Sequence, residues 1–168
     1  MAKSPSFPGT MTDAIILHAR LRLPLSCPAW HEPLLQALPY AQRLELERRD
    51  ATARRASLAG LGLVLVGAAR MTQREFPPQA FRFPPAGKPR LAGGPYFSIS
   101  HSNSAVSCIV CADTDCGIDI EDRPDPAESA TVAKLQRWTA TEAALKAAGL
   151  GLRASGEVAL ADRLGHAV

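Results

Sequence analysis

Hydrophobic and mainly polar residues alternate along residues 14–25. One set of alternate positions holds Ile16, His18, Arg20 and Arg22, and the other holds Leu17, Ala19, Leu21 and Leu23. This period of two predicts a strand with one buried face, which ends at the prolines Pro24 and Pro28. The residues before it, 1–11, are expected to form a loose leader.

Residues 40–70 predict one long or broken helix. Its first half is rich in arginine and glutamate, whereas its second half is apolar nearly all round, as in a helix buried in a core. Residues 76–95 are rich in proline and glycine and predict a loop. Strands are predicted at 96–100 and 104–111, joined by a bend at 101–103, and a turn at 112–117 follows.

Acidic and apolar residues alternate in the next segment, 117–121, which therefore predicts a strand with Asp119 and Glu121 on one face. A helix is predicted over 128–137 and another from Ala140, ended by Gly149 and Gly151. Residues 157–161 predict a last short strand. Short strands mixed with helices indicate an α+β domain.

Composition limits the classes of function. The chain has 168 residues, 46% hydrophobic and 21% charged, with a net charge of +3. These values are typical of a globular protein, and the positive charge is too small to indicate nucleic-acid binding. The longest apolar run, 58–69, is too short to span a bilayer, and no signal peptide precedes it, so we expect a cytoplasmic protein with no membrane partner.

Three carboxylates and a lysine carry the main candidate chemistry. Asp119 and Glu121 share a face of their segment, and Glu142 and Lys146 are one helical turn apart. If the helix docks across the segment, the oxygens and the ammonium suit a Mg²⁺-bound pyrophosphate. The alternative is local. Asp119 and Glu121 would line an exposed strand face, and Glu142 would close a capping box with Thr139, with Trp138 against Ala143 as a hydrophobic staple.

Two smaller clusters also have alternatives. Cys108, Cys111 and Cys116 lie near His101 and raise the hypothesis of a zinc-stabilised domain, but Cys108 and Cys111 are on opposite faces of a strand, which favours buried free thiols. Ser100 and His101 are adjacent on a strand, so they point apart and cannot form a nucleophile–base pair. They suit a phosphate contact or an ordinary turn.

Taken in order, four motifs resemble the 4′-phosphopantetheinyl transferases, particularly the two-lobed type, over about residues 87–152. The motifs are Gly87-Lys88-Pro89, Phe97-Ser98-Ile99-Ser100-His101-Ser102, Gly117-Ile118-Asp119-Ile120-Glu121, and Trp138-Thr139-x-x-Glu142-Ala143-x-x-Lys146-x-x-Gly149-x-Gly151-Leu152. The resemblance implies antiparallel strands packed on a long helix. It places the coenzyme A site and the first metal ligands in a lobe at 1–124, and the last motif in a shortened second lobe at 125–168.

The resemblance also implies an activity: Mg²⁺-dependent transfer of 4′-phosphopantetheine from coenzyme A to a serine of an acyl or peptidyl carrier protein, with release of 3′,5′-ADP. It assigns the metal to Asp119, Glu121 and Glu142. Glu142 would also accept the serine proton, and Lys146 would clamp the pyrophosphate. The further contacts that it implies to coenzyme A phosphates are Lys88, Ser100 and His101, while Trp138 would pack behind the site.

The chain departs from that family at three places. Thr141 stands where lysine is common, the stretch from Glu121 to Trp138 is shorter, and the chain stops soon after Gly151, where such members continue into a second lobe. Two expectations follow. Either a second subunit completes the site in a homo-oligomer, or the chain is a shortened, weak or inactive relative that binds coenzyme A or a carrier protein.

Overall fold

The computed structural model describes residues 14–21, 29–85, 87–122 and 129–149. The predicted leader, the prolines after the first strand, the lobe boundary near residue 124, Gly151 and the strand at 157–161 lie outside these residues. The described strands are β1 (Ala14–Arg20), β2 (Phe81–Arg82), β3 (Arg90–Leu91), β4 (Tyr96–His101) and β5 (Ala105–Cys111). The described helices are α1 (His31–Ala37), α2 (Tyr40–Arg48), α3 (Ala51–Thr72) and α4 (Ser129–Ala147), with a 3-10 turn at Pro78–Ala80.

An antiparallel sheet in the order β1-β5-β4 is the centre of the fold, and β2 pairs with β3 separately. The register places His18 opposite Ser107, and Ser107 opposite Ser100, so these three residues form one row across the sheet. The strands predicted at the positions of β1, β4 and β5 and the bend between β4 and β5 are confirmed. Helices on an antiparallel sheet make the chain α+β, as expected.

The helix predicted at 40–70 is broken rather than continuous. Asp50 begins α3 as its N-cap, because a side-chain oxygen of Asp50 accepts a hydrogen bond from the Ala53 amide at 2.9 Å. Glycines bring α3 close to the sheet. A Cβ built on Gly60 would lie 2.5 Å from Ile99, and one on Gly67 would lie 2.7 Å from Val110. The helix therefore lies against β4 and β5 with little space between them.

The core forms between α3 and one face of the sheet. Its buried side chains from these elements are Leu58, Leu61, Val64, Ala68, Phe97, Cys108 and Val110. Burying a leucine, valine or phenylalanine side chain contributes about 1.5–3 kcal/mol, so this layer is the main source of stability. The three cysteines of the described residues, Cys108, Cys111 and Cys116, are buried free thiols, as predicted.

Two expectations about the helices were wrong. Helix α1 was missed, and α4 is one helix rather than two. Thr139 lies inside α4, where its hydroxyl donates to the carbonyl oxygen of Leu135 at 3.1 Å. Thr139 is therefore not an N-cap, and the capping box with Glu142 and the staple between Trp138 and Ala143 do not form. The end of the helix is confirmed, since Gly149 has a φ of 72° and its amide donates to the Lys146 carbonyl.

Within the described residues, none of the helices has the length and apolar character needed to cross a membrane.

Candidate functional site

The acidic segment, residues 117–122, lies alongside β4 but is not a strand of the sheet. The amides of Ile118 and Ile120 donate to the hydroxyl oxygens of Ser98 and Ser100, each at 3.3 Å. The two donors are two residues apart in the segment, and their acceptors are two residues apart in β4, in the same order. The segment is therefore extended and runs parallel to β4. The prediction of a strand at 117–121 was wrong, because serine side chains of β4 take the place of the backbone carbonyls as acceptors, and no strand ladder forms among the described residues.

Gly117 lets helix α4 contact this segment backbone to backbone. A Cβ built on Gly117 would lie 1.8 Å from the Ala143 carbonyl oxygen and 2.6 Å from the Ala147 amide nitrogen. Any side chain at position 117 would therefore push the helix away. The candidate site required the lysine-bearing helix to dock on the acidic segment. That contact does occur, and it depends on this glycine.

Asp119, Ser100 and Lys146 meet at that contact. The Lys146 ammonium donates to Asp119 Oδ1 at 2.6 Å and to Ser100 Oγ at 3.1 Å. Ser100 Oγ in turn donates to Asp119 Oδ1 at 2.8 Å. The side chain of Asp119 is only 7% exposed, so this ion pair is held largely away from water.

Two buried carboxylate oxygens have no partner among the described residues: Asp119 Oδ2 and Glu142 Oε1. Glu142 is 7% exposed and lies one turn before Lys146 on the same helix. A buried carboxylate oxygen without a donor is costly, and a cation or a bound proton donor would relieve that cost. Carboxylate oxygens are the ligands that Mg²⁺ prefers, and proteins usually hold it through one or two carboxylates together with substrate phosphates, so each of these side chains suits that ion.

Glu121, the third predicted metal ligand, is exposed. In the ranges that the structure describes, no three His, Cys, Asp or Glu side chains are grouped so as to hold a metal ion. The structure thus brings Asp119 and Lys146 into contact, buries Glu142 on the same helix, and leaves Glu121 at the surface. Its metal role stays a prediction.

A cavity of about 300 Å³ opens beside the ion pair, lined by Lys146, Lys88, Phe97, Ser98, Ile99 and the glycines Gly87 and Gly149. The Lys88 ammonium donates to the Cys116 carbonyl oxygen at 2.5 Å and lies 3.2 Å from Asp115 Oδ1. Arg90 also binds Asp115, at 2.8 Å. Hydrogen bonds from Arg90 and Lys88 lower the pKa of Asp115, which keeps its negative charge fixed beside the two cations. Two lysines, Lys88 and Lys146, therefore contribute to the lining of the cavity.

Asp122 fastens the β4–β5 bend to the end of the acidic segment. It accepts hydrogen bonds from the Ser102 hydroxyl at 2.7 Å, from the Asn103 amide at 3.0 Å and from the Ser104 hydroxyl. The bonds from the two serine hydroxyls lower the pKa of Asp122. His101, predicted to contact a phosphate, is exposed in this region at the end of β4.

One residue near the site, Trp138, differs from the expectations. Trp138 is 47% exposed on α4, so it does not pack behind the site as the resemblance implied. The Thr141 hydroxyl donates to the Arg137 carbonyl oxygen at 2.9 Å within the same helix.

Sequence reasoning missed the supporting roles of Ser98, Gly117, Asp115 and Asp122. Ser98 and Ser100 are two residues apart on β4, as are Ile118 and Ile120 on the acidic segment. This matching spacing is the signal that could have paired the two segments.

A scan against protein-family models finds none that matches this chain, and a search of curated proteins finds no match either.

Proposed function

We propose that the protein is a 4′-phosphopantetheinyl transferase that moves the 4′-phosphopantetheine group of coenzyme A to a serine of an acyl or peptidyl carrier protein. The observation that carries this proposal is the pair of buried carboxylate oxygens, Asp119 Oδ2 and Glu142 Oε1, that have no partner among the described residues; Asp119 contacts the Lys146 ammonium, and Glu142 lies one turn before Lys146 on α4. The family is proposed from the resemblance of the ordered sequence motifs. We propose the two-lobed fold of that family on the same basis.

The lysines of the site supply positive charge for a pyrophosphate. Lys146 and Lys88 both line the cavity, and a phosphoryl transfer depends mostly on positioning and charge neutralisation. Asp119 and Glu142 would hold the Mg²⁺, with Glu121 as a further ligand at the surface. When bound, the metal ion neutralises the charge on the pyrophosphate oxygens.

Glu142 is the proposed proton acceptor. Its Oε1 is buried without a partner among the described residues, so it is available to accept the proton of the carrier serine hydroxyl. The serine oxygen then attacks the β-phosphorus of coenzyme A, the bond to the bridging oxygen breaks, and 3′,5′-ADP leaves. The net charge of +3 suits an acidic carrier protein in the cytoplasm, chiefly by raising the rate of encounter.

The test is incubation of the purified chain with apo carrier protein, coenzyme A and Mg²⁺, read as a mass gain on the carrier serine. Glu142→Gln keeps the size of the side chain and removes its charge, so we expect at least about a hundredfold loss of rate. The matched control is Glu75→Gln at an exposed position, which should retain the rate. No mass gain with carriers of the fatty acid, polyketide and peptide classes would contradict the proposal.

A second candidate function follows from the exposure of Glu121 and from the absence of a three-residue metal group in the described ranges. In this alternative, the chain is a relative of these transferases that binds coenzyme A or a carrier protein without turnover. It predicts that coenzyme A raises the melting temperature while the mass of the carrier stays unchanged. A measurement of native mass in the same experiment tests whether a second copy completes the site.

A further inference from the structure

The hydroxyl of Ser100 is fully used inside the protein. It donates its proton to Asp119 Oδ1 and accepts from the Ile120 amide and from the Lys146 ammonium. A serine hydroxyl has one proton and two lone pairs, so these three bonds exhaust its capacity. The residue is 5% exposed, which leaves little surface for an incoming group. Ser100 therefore has nothing left to offer a phosphate, the contact that the resemblance implied.

Ser98 provides a natural comparison. It lies on the same face of the same strand and is 6% exposed. Its hydroxyl accepts from the Ile118 amide, two residues earlier along the segment, and within the described residues it bonds neither Asp119 nor Lys146. Both serines thus fix the register of the acidic segment, and a slip of one residue would exchange Asp119 for an isoleucine. Ser100 alone connects that register to the charged pair.

The bonds of Ser100 also fix the direction of its two charged partners. The ammonium of Lys146 has three N–H bonds, of which one points to Asp119 Oδ1 and another to Ser100 Oγ. Asp119 Oδ1 receives both Lys146 and Ser100, which leaves Oδ2 buried and unpartnered in the described part of the chain. The Asp119 carboxylate is therefore oriented so that Oδ1 bonds to the protein and Oδ2 is available to bind a ligand.

We propose that Ser100 is a positioning residue, whose hydroxyl orients the Lys146 ammonium and the Asp119 carboxylate and makes no contact with substrate. For the reaction, this inference rests on the proposed function, because the oriented groups are those assigned to the pyrophosphate and the metal ion. The geometric part concerns only this chain, so it can be measured without turnover.

The first measurement is the labelling rate of the Lys146 amine by limiting acetic anhydride at one pH, read by mass spectrometry in the absence of coenzyme A. Loss of one hydrogen bond to the ammonium in Ser100→Ala should raise this rate by roughly threefold to tenfold. Ser98→Ala is the matched control and should stay within about twofold of the parent. Ser100→Thr keeps a hydroxyl and should restore the parent rate. Urea unfolding of each variant identifies any that fail to fold.

The second measurement separates kcat from KM in the carrier assay. Ser100→Ala should lower kcat by roughly tenfold or more and leave KM for coenzyme A within about twofold. Equal labelling of Lys146 in the two alanine variants, or a raised KM with an unchanged kcat, would overturn the positioning role. If the parent chain has no transferase activity, the proposed function fails, and the labelling arm still decides the role of Ser100.

Discussion

The two faces of the β1-β5-β4 sheet are built from different interactions. The face against α3 is apolar, with Phe97, Cys108 and Val110 in a continuous core. The opposite face carries hydroxyls: Ser98 and Ser100 hold the acidic segment, and the Ser107 hydroxyl lies 2.7 Å from His18 Nδ1. Apolar packing is non-directional, whereas hydrogen bonds fix angles as well as distances. Stability thus resides mainly on one face, and the orientation of charged groups on the other.

The largest expected effect is on the apolar face. Leu61→Ala removes a core side chain of α3 that is 4% exposed, and it should lower the free energy of unfolding by about 2–5 kcal/mol. Urea unfolding measures the change. Val66→Ala, on the exposed side of the same helix, should change it by less than about 0.5 kcal/mol. Equal losses in the two variants would mean that α3 does not bury the side that the structure assigns to the core.

The next effect concerns the contact between α4 and the acidic segment. Gly117→Ala forces a methyl group against the helix backbone, so we expect a loss of about 1–3 kcal/mol in unfolding free energy. Displacement of α4 should also expose the Lys146 amine to labelling. Gly62→Ala is the control, because its Cβ would meet only the edge of the Trp30 ring at 3.2 Å and alanine favours the helix. A stable Gly117→Ala protein with unchanged Lys146 labelling would contradict the contact.

The apolar face should be sensitive to alkali. Burial raises the pKa of the Cys108 thiol to about 11, above its ordinary value of 9.0. Above pH 9 this thiol ionises in the unfolded chain but stays protonated in the native protein, so its own contribution lowers the free energy of unfolding by at most about 1.4 kcal/mol per pH unit until the native thiol also ionises. Urea unfolding at pH 8 and pH 10 measures the slope. Cys108→Ala should flatten it, and an unchanged slope would rule out this thiol as the cause.

A smaller effect on stability is expected in acid, where Asp122 accepts hydrogen bonds from serine hydroxyls at the bend between β4 and β5. Hydrogen bonds from Ser102 and Ser104 lower the pKa of Asp122, so its contribution to stability is present above the unfolded pKa of 3.8 and is lost as the pH falls through the lower native value. Thermal melts between pH 5 and pH 2 should show a flatter profile for Asp122→Asn than for the parent. The exposed Asp113→Asn is the control, and a parent-like profile in both variants would contradict the assignment.

Alternation predicted β1 and β5, since a period of two determines which side chains are buried whatever the strand pairs with. The apolar second half of residues 40–70 predicted the core helix α3. These elements bury apolar faces, and a local pattern is enough to find them. The sequence did not predict that the lysine-bearing helix contacts the acidic segment. It showed only that the candidate site required this contact.

Local patterns failed where the partner is distant in sequence. Thr139 and Glu142 fit a capping box, yet the residues before them continue the helix, so the same letters lie inside α4. The alternating segment at 117–121 looked like a strand, but serine side chains of β4 take its amides. Neither the pairing of hydroxyls with amides nor the burial of Glu142 leaves a signal within a short window of sequence.

The backbone contact at Gly117 has an evolutionary consequence. Where two backbone segments of a chain are in contact, a mutation elsewhere cannot create space for a side chain, because a substitution cannot make the backbone smaller. Descendants of this chain should therefore drift freely at exposed sites such as Trp138, yet keep glycine at 117 for as long as selection maintains the charged pair. The most constrained position of the site is then one that carries no chemical group.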